Sequence, residues 1–82
     1  MYLIHKRIYM TYNEALIQIQ EIYPKKMMLS KKEVAYLTSR SLSSIDRDIS
    51  DGTGIPYKKI RGRVLYPVID IARWMSDLVQ TA

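Results

Sequence analysis

The chain has 82 residues, 48% hydrophobic and 26% charged, with a formal net charge of +5 and no cysteine. That length allows one domain near the lower limit at which a core closes unaided, and the missing cysteine removes disulfides and cysteine-held zinc as staples. No apolar run reaches the roughly 18 residues of a membrane span, and charges break up the start MYLIHKRIYM, so a soluble, cytoplasmic chain is expected.

From Met1 to Met10 the apolar residues Leu3, Ile4, Ile8 and Tyr9 follow no period, and an edge strand and a partly ordered arm fit equally. Thr11 followed by Glu14 predicts a capping box, in which each side chain accepts a hydrogen bond from the other residue's backbone N–H. Ala15, Leu16, Ile19, Ile22 and Tyr23 then form one helical stripe ending at Pro24, so a helix is predicted over about Tyr12 to Tyr23. Its stripe is expected to pack on the domain, with a second copy of the chain as the alternative. Glu14, Gln18, Gln20 and Glu21 on this helix are ill suited to face phosphate. Pro24-Lys25-Lys26 reads as a linker, and Met27 and Met28 as core fillers. Residues 1–28 are therefore set apart as an arm and helix for packing or self-association, and residues 29–82 as the main domain.

Leu29 to Gly52 reads as two short helices joined by a tight polar turn. Ser30 and Glu33 form a second capping box, and Leu29 with Val34 a hydrophobic staple across the helix start. Val34, Ala35, Leu37 and Thr38 make the inward stripe, which stops at Thr38-Ser39-Arg40. Ser41 caps the next helix, Ile45 and Ile49 share its inner face, and Gly52 is placed to end it in a left-handed conformation. Ser43, Ser44, Asp46, Arg47 and Ser50 are left on the outer face. Helix, turn and capped helix with small polar outer residues is the outline of a helix-turn-helix, whose second helix can enter a DNA major groove.

Thr53-Gly54-Ile55-Pro56 is a loop by composition. Tyr57-Lys58-Lys59-Ile60 and Arg63-Val64-Leu65-Tyr66 flank Arg61-Gly62 and predict a short β-hairpin with Gly62 at positive φ. Lys58, Lys59, Arg61 and Arg63 make it a basic ribbon, suited to a phosphate backbone or a minor groove, although charge also protects an edge strand from pairing. Ile71, Trp74, Met75, Leu78 and Val79 predict a last helix from Ile69 or Asp70 to Gln80, with Trp74 as a core anchor.

The charge is concentrated. Ten basic against four acidic residues between Pro24 and Tyr66 give +6, whereas three against four elsewhere give −1. Such a distribution suits a polyanion. Catalytic chemistry finds little footing: His5 is the one histidine, no serine has a nucleophile context, and Asp46, Asp48 and Asp51 lack the closing Glu of a calcium loop. No enzyme activity, metal or cofactor is expected.

The segments LSKKEVAYLT, SLSSIDRDISDG and IPYKKIRGRVLYPVIDIARWM, in this order from Leu29 to about Met75, resemble the small winged helix-turn-helix proteins of the excisionase and AlpA group, which are similar to the DNA-binding module of MerR regulators. The resemblance implies a mainly α fold with a small β-hairpin, here with an extra N-terminal helix. It implies double-stranded DNA as the partner, with Ser41 to Ser50 as the recognition helix and the hairpin as the wing. Carried over by position, Ser43, Ser44 and Arg47 are groove and phosphate contacts, and Lys59, Arg61 and Arg63 wing contacts. Ser41 at a helix N-terminus, Lys58 in the ribbon, and Lys31, Lys32 and Arg40 complete the expected DNA-facing set. Two departures stand out. Ser39 and Arg40 occupy positions where the group often has Gly and an aliphatic residue, which would let Arg40 point outward. Asp46 stands at a commonly aromatic or basic position, where it either accepts from a cytosine N4 amino group or, the favoured expectation, holds Arg47 or Arg40 in place.

The implied role is that of a small transcriptional regulator or an excisionase-type recombination factor. With few base-reading side chains, a homodimer or a cooperative array on DNA is expected, with a recombinase as a further partner. The alternative is a protein-interaction module of the same fold, such as a phage packaging subunit.

Overall fold

A computed structural model of the protein describes residues 10–77. The expectations for Met1–Tyr9, and for Leu78, Val79 and Gln80 in the last helix, lie outside them. The described chain runs α1 (Tyr12–Ile22), β1 (Met28–Ser30), α2 (Lys31–Thr38), α3 (Leu42–Asp51), β2 (Lys58–Ile60), β3 (Arg63–Pro67) and α4 (Val68–Asp77). It is a small, mainly helical domain with four helices and an open, three-stranded antiparallel sheet in the order β1-β3-β2. None of the described helices is long and apolar enough to cross a membrane.

Local sequence signals set the helix starts. The Thr11–Glu14 and Ser30–Glu33 capping boxes are both formed, each with its two reciprocal hydrogen bonds of 2.9–3.2 Å. Leu29 and Val34, the predicted staple, are both fully buried. α1 lies against α4 through the sealed Ala15 and Ile19, and the Arg73 guanidinium sits 5.8 Å from the centre of the Tyr12 ring. Together with Leu29, Val34, Ile45, Ile55, Tyr66, Val68 and Ile71 these residues form one core, so the N-terminal helix shares its interior with the rest.

Several expectations need correction. β1 was not foreseen. Met28-Leu29-Ser30 leads into α2 as a strand whose register places Met28 opposite Pro67, Leu29 opposite Tyr66 and Ser30 opposite Leu65. Consequently Met27 is no core filler: 77% of its surface is exposed, and its carbonyl accepts the Val68 N–H at 2.9 Å. Ile22 is 48% exposed, because it lies at the margin of the α1 stripe rather than at its centre. Trp74 is half-buried at the edge of the core; the sealed residues of α4 are Ile71 and Ala72. The loop residue Ile55, in contrast, is buried.

Glu33 gives the α2 cap a pH dependence. Its hydrogen bond with the Lys26 ammonium, aided by the Ser30 backbone N–H, holds its carboxyl below the usual carboxylate range. A depressed folded-state pKa contributes stability that is complete above the ordinary value and is lost as pH falls through the depressed one. Glu33→Gln keeps a capping-box residue but removes the titration. Urea unfolding between about pH 6 and about pH 3 should therefore show a shallower acid loss in Glu33→Gln than in the parent chain. Equal losses would mean that Glu33 carries no such coupling.

Candidate nucleic-acid interface

The α2–α3 corner is closed by backbone geometry. Ser39 takes the left-handed conformation (φ 57, ψ 38) and donates its N–H to the Tyr36 carbonyl at 3.3 Å, while the Arg40 N–H reaches the Ala35 carbonyl at 2.9 Å. A non-glycine residue in this conformation costs roughly 1–2 kcal/mol. The chain thereby reverses within three residues and reaches Ser41, whose Oγ accepts the Ser44 N–H at 3.1 Å and donates to the Ser44 Oγ at 3.2 Å. Those two hydroxyls are therefore engaged with each other, and Ser43 makes no side-chain hydrogen bond to a described residue.

Ile45 is buried and Ile49 half-buried, which fixes the rotation of α3. At 3.6 residues per turn, Ser43, Arg47 and Ser50 fall on the ridge opposite them, and all three are exposed. The helix ends as its sequence signals: Gly52 is left-handed (φ 72), and the Thr53 N–H closes onto the Asp48 carbonyl at 2.9 Å.

The aspartates of α3 are partnered differently from the expectation. Asp46 holds neither Arg47 nor Arg40; its Oδ1 pairs with the Lys31 ammonium of α2 at 2.8 Å. Arg40 does not point outward. It is half-buried, with Nη2 2.8 Å from Asp48 Oδ2. Two of the three α3 carboxylates thus neutralise two of the cations expected to face a ligand. Lys32, Arg47, Lys58, Lys59, Arg61 and Arg63 are all exposed and form no ion pair with a described residue.

The hairpin is as predicted and tighter. Arg61 (φ 52) and Gly62 (φ 79) are both left-handed, the pattern of a two-residue type I′ turn. Its register pairs Ile60 with Arg63, Lys59 with Val64 and Lys58 with Leu65. By the strand alternation, Lys59 and Val64 share the face of the buried Tyr66, whereas Lys58 and Arg63 lie on the other. Cations thus occupy both faces of the ribbon as well as its tip. Burial, followed by the neighbouring Tyr57, Asp48 and Asp46, pushes the Tyr66 phenol up, so it stays protonated; its ring lies 6.0 Å from that of Tyr57.

The structure therefore gathers Ser43 and Arg47 on one ridge, Lys58, Lys59, Arg61 and Arg63 on one ribbon, and Lys31 and Arg40 into ion pairs with aspartates of α3. Two residues that matter to this arrangement were given no such role by the sequence reading: Asp48, which pairs with Arg40, and Gly54, which packs against Asp48. Gly54 left only a loop signal, and nothing in the spacing of Arg40 and Asp48 reveals their pairing. Among the described residues, no group of three or more His, Cys, Asp or Glu side chains could hold a metal ion. Comparison with known proteins returns no match: no family model, curated protein or solved structure is significantly similar to this chain.

Gly54 is constrained twice. Its φ is +86, and a Cβ there would meet Asp48 Oδ2 at 2.7 Å and Asp48 Cβ and Cγ at 3.0 Å. Gly54→Ala should destabilise the domain by about 1–2 kcal/mol from the left-handed backbone alone, with a further loss because Asp48 must move. Urea or thermal unfolding measures it; a change within about 0.5 kcal/mol, the usual range for an inert surface site, would contradict the packing described.

Proposed function

We propose that this domain is a winged helix-turn-helix that binds double-stranded DNA, with α3 in the major groove and the β2–β3 hairpin as a wing on the backbone or in a minor groove. The observation that carries this reading is the partition of charge. Lys31 and Arg40 are paired with aspartates of α3, while Arg47 on its outer ridge and the four cations of the ribbon are exposed and form no ion pair with a described residue. Exposed cations left on a helix ridge and an adjoining ribbon suit contact with phosphate.

In this reading Lys58, Lys59, Arg61, Arg63 and Lys32 set position through phosphates, and Arg47 is the one side chain able to make a bidentate contact with guanine. Ser43 is a permissive reader. Because one good pair discriminates by only about 1–3 kcal/mol, function calls for more than one copy on neighbouring sites. The role is that of a small cytoplasmic transcriptional regulator or an excisionase-type recombination factor, as the resemblance to the excisionase, AlpA and MerR groups suggests. An interaction module of the same fold is the competing reading, favoured by the exposed Tyr36 and Leu42 at the α2–α3 corner.

Salt separates the two. Affinity for a random duplex should fall linearly in log–log form with salt, with a slope of roughly −0.9 per phosphate neutralised. Arg61→Ala combined with Arg63→Ala should reduce the slope by about 2 and weaken all duplexes alike, whereas Arg47→Ala should also blur preference among selected sequences. A flat salt dependence in the parent chain would select the interaction module. Identical behaviour of the wing and Arg47 variants would refute the division of labour.

A further inference from the structure

Asp48 is the residue at which the turn, α3, the loop and the sheet meet. Its carboxylate binds Arg40 of the turn at 2.8 Å, its backbone carbonyl accepts the Thr53 N–H at 2.9 Å, and its side chain packs on the Cα of Gly54 with no room for a Cβ. Arg40, Ile45, Asp48, Thr53, Ile55 and Tyr66 line a single shallow depression. From Gly54 only residues 55–57 remain before β2, and two of these make packing contacts: Ile55 is buried and the Tyr57 ring lies tilted against that of Tyr66. A displacement of Gly54 relative to Asp48 is therefore passed on to the hairpin with little slack.

We infer that Asp48 is a positioning residue that fixes the disposition of α3 relative to the hairpin, held by Arg40 on one side and seating Gly54 on the other. The inference rests on the DNA-binding reading for its purpose, since two surfaces that read one duplex must keep a fixed separation, but not for its test. It also accounts for an otherwise unfavourable choice. A carboxylate on a helix turned toward phosphate repels its ligand, and a residue serving only as surface would do better as Asn or Ser. A half-buried pair whose partner also closes the preceding turn, through the Arg40 N–H on the Ala35 carbonyl, sets geometry as well as charge.

The absence of cysteine makes the test direct. Ser50→Cys on α3 and Ile60→Cys on the hairpin, both exposed in the structure, accept nitroxide labels on the full chain, and pulsed dipolar spectroscopy reads the distance between them. The parent background should give one narrow distribution. Asp48→Asn and Arg40→Gln should each broaden and shift it while circular dichroism shows the helices retained. Should Asp48→Asn fail to fold, Arg40→Gln still tests the inference, because it leaves the seat of Gly54 intact. An unchanged narrow distribution in the folded variants overturns it, and so does loss of the fold in both, which would make the pair a stability element only. No duplex is present, so a chain that fails to bind DNA overturns the function proposed above and leaves this inference standing.

Discussion

The placement of Leu29 is the constraint from which the rest of the domain follows. It is fully buried, it stands opposite Tyr66 in the β1–β3 register, and it is the residue immediately before the Ser30 cap of α2. A strand residue that is also the first half of a helix staple ties the sheet to the helix pair with no intervening linker. Because side chains alternate along a strand, slipping this register by one residue would turn Leu29 out and Ser30 in. The start of α2 is then set relative to β3, whose other end carries the hairpin tip.

That arrangement lets a helix with three aspartates belong to a basic surface. Asp46 and Asp48 each face a cation of the preceding segment, so their charge is spent inside the α2–turn–α3 unit. Both pairs are partly exposed, and exposed pairs contribute at most about 1 kcal/mol. Their value here lies in where charge is left over. Arg47 and the hairpin cations keep their full fields, whereas α1, with Glu14 and Glu21 and no basic residue within its span, presents an acidic to neutral flank. The described charge is thus unevenly distributed, with exposed cations on α3 and the hairpin and two carboxylates on α1.

Much of the fold was legible in the sequence because its signals are local. Both capping boxes, the Ser41 cap, the Gly52 terminus and the hairpin turn are set by residues within five positions of one another, and each appears where its chemistry places it. What was not legible is what distance in sequence hides. β1 is a three-residue strand that exists because β3, some 37 positions later, supplies its hydrogen bonds (Leu29 against Tyr66). The partners of Asp46 and Asp48 lie 15 and 8 residues away across the α2–α3 corner, where the periodicity of one helix no longer relates the two positions. The Trp74 expectation held only in part for a related reason: Trp74 packs against the core half-buried, whereas Ile71 and Ala72 occupy the face of α4 that is sealed.

Amide chemical-shift mapping on the labelled chain, titrated with a short mixed-sequence duplex at low salt, tests the central claim most directly. If α3 and the ribbon form one DNA-facing surface, perturbations should concentrate at Ser41–Arg47 and Lys58–Arg63 and spare Asn13, Ile17 and Glu21 on the exposed side of α1. Perturbations confined to α1, or none at either α3 or the hairpin, would contradict it.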